Sequence, residues 1–405
     1  MAKYEKTCSW IALFLAFVLT TGGNYASLKD LDLPKNFLPQ GIQRYSVTSV
    51  KASASNPGFL RFQITAPHGE YTEEGLADLR KAVKEIQALE MLKDSEAEGG
   101  FGEGAVESIK DTGTGIKNLV TRPKESAAGI GSATKKLGSR IGRMFEEKEE
   151  GEKMSFGERM TGSTKRDLAK KMGVDVYSRN PYLQTKLDGM AKAQMGGKGA
   201  VMVAKLLIPV AALVSLTLTA GSLNTAADEF VDSANRRDIF AANKQALLAI
   251  GISPVTVDGI LNHPYYTPRE VTYFRFYLEK LKAVRGKEGI LRIAAGAQGG
   301  LAAYKILHEA EIIAESFKGG PAQAEILVTP EGIGLKQGKT LSFATAYDVL
   351  TSGDLSDKVM ARVREIMKAQ GCDSAEILNA GKVESGVTMA GVLYNIKVRE
   401  FVLFK

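Results

Sequence analysis

The chain is poor in the residues that most often announce chemistry. Its 405 residues include one tryptophan, two cysteines and three histidines. Two cysteines cannot build a disulfide framework, so stability must come from packing. Cys8 precedes the first apolar run and Trp10 stands within it, so removal of that run would leave Cys372 alone and no tryptophan. Sugar-binding tryptophan platforms are then excluded. There is no G-x-x-x-x-G-K-[ST] phosphate loop and no G-x-S-x-G nucleophile elbow. Charge of one sign is also modest: the net charge of +7 permits contact with anionic lipid or nucleic acid without requiring either.

What is present is a globular composition, with 44% hydrophobic and 24% charged residues, and length enough for two or three domains. The N-terminus runs from lysines in MAKYEK through WIALFLAFVL to the small residues TTGGNYAS. That order is a secretory signal over residues 1–26, and it predicts export to the periplasm or cell envelope. Cleavage after Ala26 or near Gly23, or retention as an anchor, both fit it.

Residues 27–95 read as a β-hairpin, with strands in RYSVTSVKAS and FLRFQITA around Asn56-Pro57-Gly58, followed by a helix. Leu76, Leu79, Val83, Ile86, Leu89 and Leu92 fall on one face of that helix, with Thr72 as its expected cap. Residues 154–320 read as a helical domain. Asn180-Pro181, Ser253-Pro254 and the capping box Thr267-Pro268-Arg269-Glu270 mark helix starts, and one long helix is expected over about 287–317. Residues 321–405 read as a small α+β unit. Its strands are AEILVTPEGIGL, KTLSFATA and YNIKVREFVLF, with a helix at about 356–369. The predicted class is mainly α, of α+β type: a helical core with a small N-terminal hairpin and small C-terminal β elements.

Two segments stand apart. LLIPVAALVSLTLTAG (206–221) is uncharged, and the apolar stretch 200–221 suits a buried helix, a membrane-inserted segment or the lining of an apolar cavity. As a span it would reverse the positive-inside rule, because Lys192, Lys198 and Lys205 flank one side and Asp228, Glu229 and Asp232 the other.

The second lies within residues 96–153, before the acidic linker EEKEEGEK. It alternates glycine, basic residues and single apolar residues in two helical stripes joined at Pro123. Ile116, Val120, Ile130, Leu137, Ile141 and Phe145 carry the stripes, and Lys117, Arg122, Lys135, Lys136, Arg140 and Arg143 the basic faces. Over 104–145, eight basic residues against three acidic ones leave a net of +5. Each basic residue near an anionic membrane contributes about 1 kcal/mol. The six glycines at 113, 115, 129, 131, 138 and 142 each cost a helix roughly 0.5–1 kcal/mol. The two effects nearly cancel, so the segment is expected to become helical only when a surface receives its stripe. That surface is a membrane lipid, the protein's own helical domain or an envelope protein partner. Nucleic acid is not expected as a partner, since no aromatics interleave the basic residues.

Residues 112–138, containing IKNLVTRPKESAAGIGSATKKLG, resemble the amphipathic tail segments of bridge-like lipid-transfer proteins. The resemblance implies association with lipid. GVDVYSRNPYLQTKLDGMA and LNHPYYTPREVTYFRFYLEKL, with the glycine-rich stretch before them, resemble exported bacterial proteins of unknown function over about residues 40–320. That likeness implies an envelope address.

No catalytic residue, metal site or cofactor is predicted. HEAEI at 308–312 has isoleucine where a zinc helix needs its second histidine, although His308 with Glu311 or Glu315 shares one face. His68-Gly69-Glu70-Tyr71 reads as a turn between strand and helix that could also supply acid–base groups. The densest aromatic and polar cluster is the loop of His263, Tyr265 and Tyr266 with Glu270, which is the candidate pocket if the protein is an envelope enzyme.

Overall fold

The computed structural model describes residues 27–35, 37–39, 44–54, 56–95, 156–195, 223–319 and 324–404. The apolar run 200–221 and the basic segment 104–145 lie outside them. Eleven α-helices and three sheets make up the described residues, a mixed α+β protein with helix dominant.

The N-terminal sheet has three antiparallel strands in the order β1 (Ser46–Ala52), β2 (Leu60–Ala66) and β3 (Gly69–Glu74). The expected hairpin is β1 and β2. The third strand occupies GEYTEE, where a turn and a helix cap were expected, and pairs Tyr71 with Ile64 and Thr72 with Gln63. Leu60, Phe62 and Ile64 alternate inward from the central strand, which is why the register is unambiguous. Gly75, at φ +105°, turns the chain from β3 into helix α1 (Leu76–Ser95).

Helix α1 lies between two cores. Leu76, Leu79, Val83 and Ile86 pack on the sheet. Ala88, Leu89, Met91 and Leu92 pack on the hairpin of α2 (Phe156–Met172) and α3 (Pro181–Met195). There follow α4 (Leu223–Ser233), α5 (Arg236–Ala249), α6 (Pro254–Leu261) and α7 (Pro268–Lys280). The expected long helix is two, α8 (Glu288–Ala295) and α9 (Gly300–Ser316), divided at Gly296–Gly299. Gly299 at φ +125° cannot continue a right-handed helix.

The C-terminal strands form one five-stranded mixed sheet in the order β10-β8-β6-β5-β4. Strands β4 (Glu325–Val328), β5 (Ile333–Gln337) and β6 (Thr340–Thr345) are an antiparallel meander; β8 (Ser374–Asn379) and β10 (Ile396–Arg399) continue parallel to β6. Helix α9 covers one face, against Ile333, Leu335, Ala344 and Leu378. Helix α10 (Asp354–Gln370) covers the other, against Leu341, Phe343 and Ile377. A short parallel pair, β7 (Val349–Leu350) with β9 (Lys382–Val383), and helix α11 (Ser385–Leu393) complete the unit. The chain then returns to the N-terminal core, where Phe404 meets Phe37 edge-on at 5.0 Å between ring centroids.

Candidate functional site

The twelve candidate lipid-contact residues, from Ile116 to Phe145, lie outside the described residues, but the structure does place the helices that flank them. Helices α2 and α3 are joined by residues 173–180, and Lys165 meets Asp188 at 2.6 Å. The pair is nearly symmetric about the loop, so the helices run antiparallel. Phe156, which follows the basic segment, and Met195, which precedes the apolar run, therefore stand at the same end of the hairpin.

The candidate pocket residues are neighbours, and most of their polar groups are engaged locally. The His263 ring lies 5.0 Å from Tyr266 and 5.7 Å from Tyr265 between centroids. Its Nδ1 accepts from the Tyr265 N–H at 3.4 Å. Burial pushes the His263 pKa down. Tyr266 is buried against Phe274 and donates its hydroxyl to the Ala303 carbonyl at 3.3 Å. Tyr265 points outward and is 40% exposed. Glu270 completes the capping box: its carboxylate accepts from the Thr267 N–H at 2.6 Å, and Thr267 Oγ1 accepts from the Glu270 N–H at 3.2 Å.

The other two histidines are paired. His68 Nε2 lies 3.1 Å from Glu90, which also binds Arg44 at 3.0 Å, and this pins the β2–β3 turn to α1. His308 Nδ1 lies 3.0 Å from Glu311. Burial opposes the imidazolium, but the hydrogen bond and charge of Glu311 outweigh it and raise the pKa. Glu315 turns instead to the Leu223 N–H and Lys280. No group of three or more His, Cys, Asp or Glu able to hold a metal occurs among the described residues.

Sequence reasoning missed a partly buried charged junction where α1, the α2–α3 loop, α4, α7 and α9 meet. Its hub is Arg269. Nε donates to Asp175 at 2.9 Å, Nη2 to Asp232 at 2.5 Å and Nη1 to Asp228, which also accepts the Tyr273 hydroxyl at 2.5 Å. A second chain of bonds runs beside it. The Tyr277 hydroxyl donates to Asn224 at 2.5 Å, and Asn224 donates to Glu311 at 2.6 Å, the partner of His308. From α1, Glu85 accepts from Ser178 at 2.5 Å. Lys81 is partly buried, yet the carboxylates of Glu270, Glu85, Asp175 and Asp78 outweigh desolvation and keep it protonated. Burial pushes Glu73 up to about 8, aided by Asp78 and Glu85.

A separate staple joins the N- and C-terminal units. Asp348 is buried and accepts from the backbone N–H groups of Leu60 and Leu76, each at 2.8 Å. Desolvation raises its pKa to about 7 against the lowering effect of those two bonds. These acids carry perturbed protonation equilibria, a property shared by catalytic sites and structural ion networks. Here Arg269 and its three carboxylates answer one another across elements. No family model matches the chain, and neither does any curated protein or solved structure.

Proposed function

We propose that this is a non-catalytic, exported cell-envelope protein that handles or scaffolds membrane lipid, meeting the bilayer through the basic amphipathic segment 104–145. The observation that carries this reading is the antiparallel α2–α3 hairpin. Its two outer ends, Phe156 and Met195, lie at the same end of the hairpin. They continue into the basic segment on one side and the uncharged run on the other. Both lipid-compatible stretches therefore connect, through intervening residues, to the same end of one helical hairpin. The buried Arg269 supports a structural role, because its guanidinium is matched to carboxylates from α4 and from the α2–α3 loop. No helix among the described residues is long and apolar enough to cross a membrane.

Flotation with neutral and anionic liposomes at low and high salt, with far-UV circular dichroism on the same samples, tests the reading. Salt-sensitive flotation on anionic vesicles with a gain of helix is expected. Asp at Ile116, Ile130, Leu137 and Ile141 should weaken flotation at least about tenfold while leaving the thermal midpoint unchanged. Flotation indifferent to these substitutions would reject the segment as a lipid contact.

A further inference from the structure

Helix α11 has no charged residue from Ser385 to Leu393. It rests on β10 through Val387 and Gly391. The approach at Gly391 is so close that a Cβ there would stand 2.5 Å from the Ile396 carbonyl oxygen. The opposite face carries Met389, Val392 and Leu393, which are 70%, 75% and 81% exposed. Spacings of three and four residues set them on one ridge. Tyr394 follows at 41% exposure. Four of the eight large exposed hydrophobics among the described residues therefore fall within six positions, a patch rather than scatter.

The patch has a basic margin. A surface depression of ≈ 520 Å³ beside it is lined by Ala361, Arg364, Glu365, Met367, Lys368 and Tyr394. The Arg364 guanidinium lies 4.1 Å from the Tyr394 ring centroid. Glu365 pairs with Arg362 at 2.5 Å, a guanidinium it shares with Glu331 at 2.9 Å. Arg364 and Lys368 have no carboxylate partner among the described residues. An uncharged ridge, a tyrosine at its edge and two cations without a carboxylate partner together have the character of an interfacial helix.

We infer that α11 and the adjoining edge of α10 form a second contact for an anionic lipid surface. Met389, Val392 and Leu393 enter the acyl boundary, Tyr394 lies at headgroup depth, and Arg364 and Lys368 meet the phosphates. Charge disfavours a second copy as the occupant. A second copy would bring the same two cations, Arg364 and Lys368, to the contact, whereas an anionic surface complements them. The inference rests on the lipid-facing reading above but on different residues, so the two can fail separately.

The test uses the full chain in flotation with phosphatidylcholine vesicles, with and without phosphatidylglycerol. Val392→Asp with Leu393→Asp should raise the lipid needed for half-maximal flotation about tenfold or more. Met389→Gln with Leu393→Gln, a milder pair, should move it the same way. Arg364→Gln with Lys368→Gln should diminish the preference for phosphatidylglycerol. Unchanged circular dichroism and thermal midpoint show that each variant folds. The Ile130→Asp, Leu137→Asp chain should retain flotation that depends on α11. If the wild type floats and both α11 variants float equally well, the α11 contact is wrong and the segment reading stands. A wild type that never floats overturns both. A dimer mass that disappears in the α11 variants, with flotation unchanged, would make the patch a self-interface and overturn the proposal.

Discussion

Arg269 shows what one side chain holds. Its guanidinium binds carboxylates from the α2–α3 loop and from α4, at sequence separations of 94, 41 and 37. Removing it leaves Asp175 and Asp232 partly or wholly buried without their cation. Arg269→Ala should therefore cost about 3–5 kcal/mol in urea unfolding. Asp348 gives the pH dependence. Its folded pKa, near 7, stands above the ordinary carboxylate value, so the folded chain holds a proton that the unfolded chain releases near pH 4. Its contribution to stability is full below about pH 4 and is lost as pH rises through 7. Glu309, pushed to about 7 by burial, and Glu73, pushed to about 8, act in the same direction. Asp175 opposes them, since Arg269 holds its pKa down and its contribution is lost as pH falls. Urea midpoints should thus decline from about pH 4.5 to 8, and Asp348→Asn should flatten part of that decline. An Asp348→Asn profile parallel to the wild type would show that the buried carboxyl does not titrate there. The role of Arg269 was invisible in the sequence, where it reads as an ordinary second residue of α7.

Among the elements, those with local causes were legible. The Thr267–Glu270 capping box and the Asn180 cap form as expected, because cap and recipient N–H groups are two or three residues apart. Strand β3 was not legible: GEYTEE is polar, and it becomes a strand by pairing with β2. Nor was the second buried side of α1. Glu85, Gln87 and Glu90 are 5%, 1% and 1% exposed, although polar residues opposite an apolar stripe predict solvent. The turn that starts α1 is the sensitive point. A Cβ on Gly75 would lie 2.7 Å from the Tyr304 ring at a φ of +105°. Gly75→Ala should destabilise by about 2 kcal/mol or more, seen as a lower thermal midpoint.

At the scale of the molecule, the first and last described segments share one core. Phe404 and Val349 pack with Leu31, Phe37 and the N-terminal sheet, while Asp348 binds the backbone at the starts of β2 and α1. Phe404→Ala should cost about 3–5 kcal/mol. It should also speed amide exchange in residues 46–74, more than 300 positions away in sequence. Exchange that changes only near residue 404 would mean that the N-terminal sheet is stable by itself.

The sequence alone determined the helix starts, the apolar face of α1, the predominance of helix and the two outlying segments, basic and apolar. Those depend on neighbours within one or two turns, or on composition. Tertiary structure decided which charges are buried, that the C-terminal strands join into one mixed sheet, that Phe156 and Met195 emerge together, and that α11 keeps an apolar ridge in solvent. The reason is physical: burial and ion pairing depend on distances through space, and the partners of Arg269 and Asp348 come from segments that only the complete fold brings within hydrogen-bond reach.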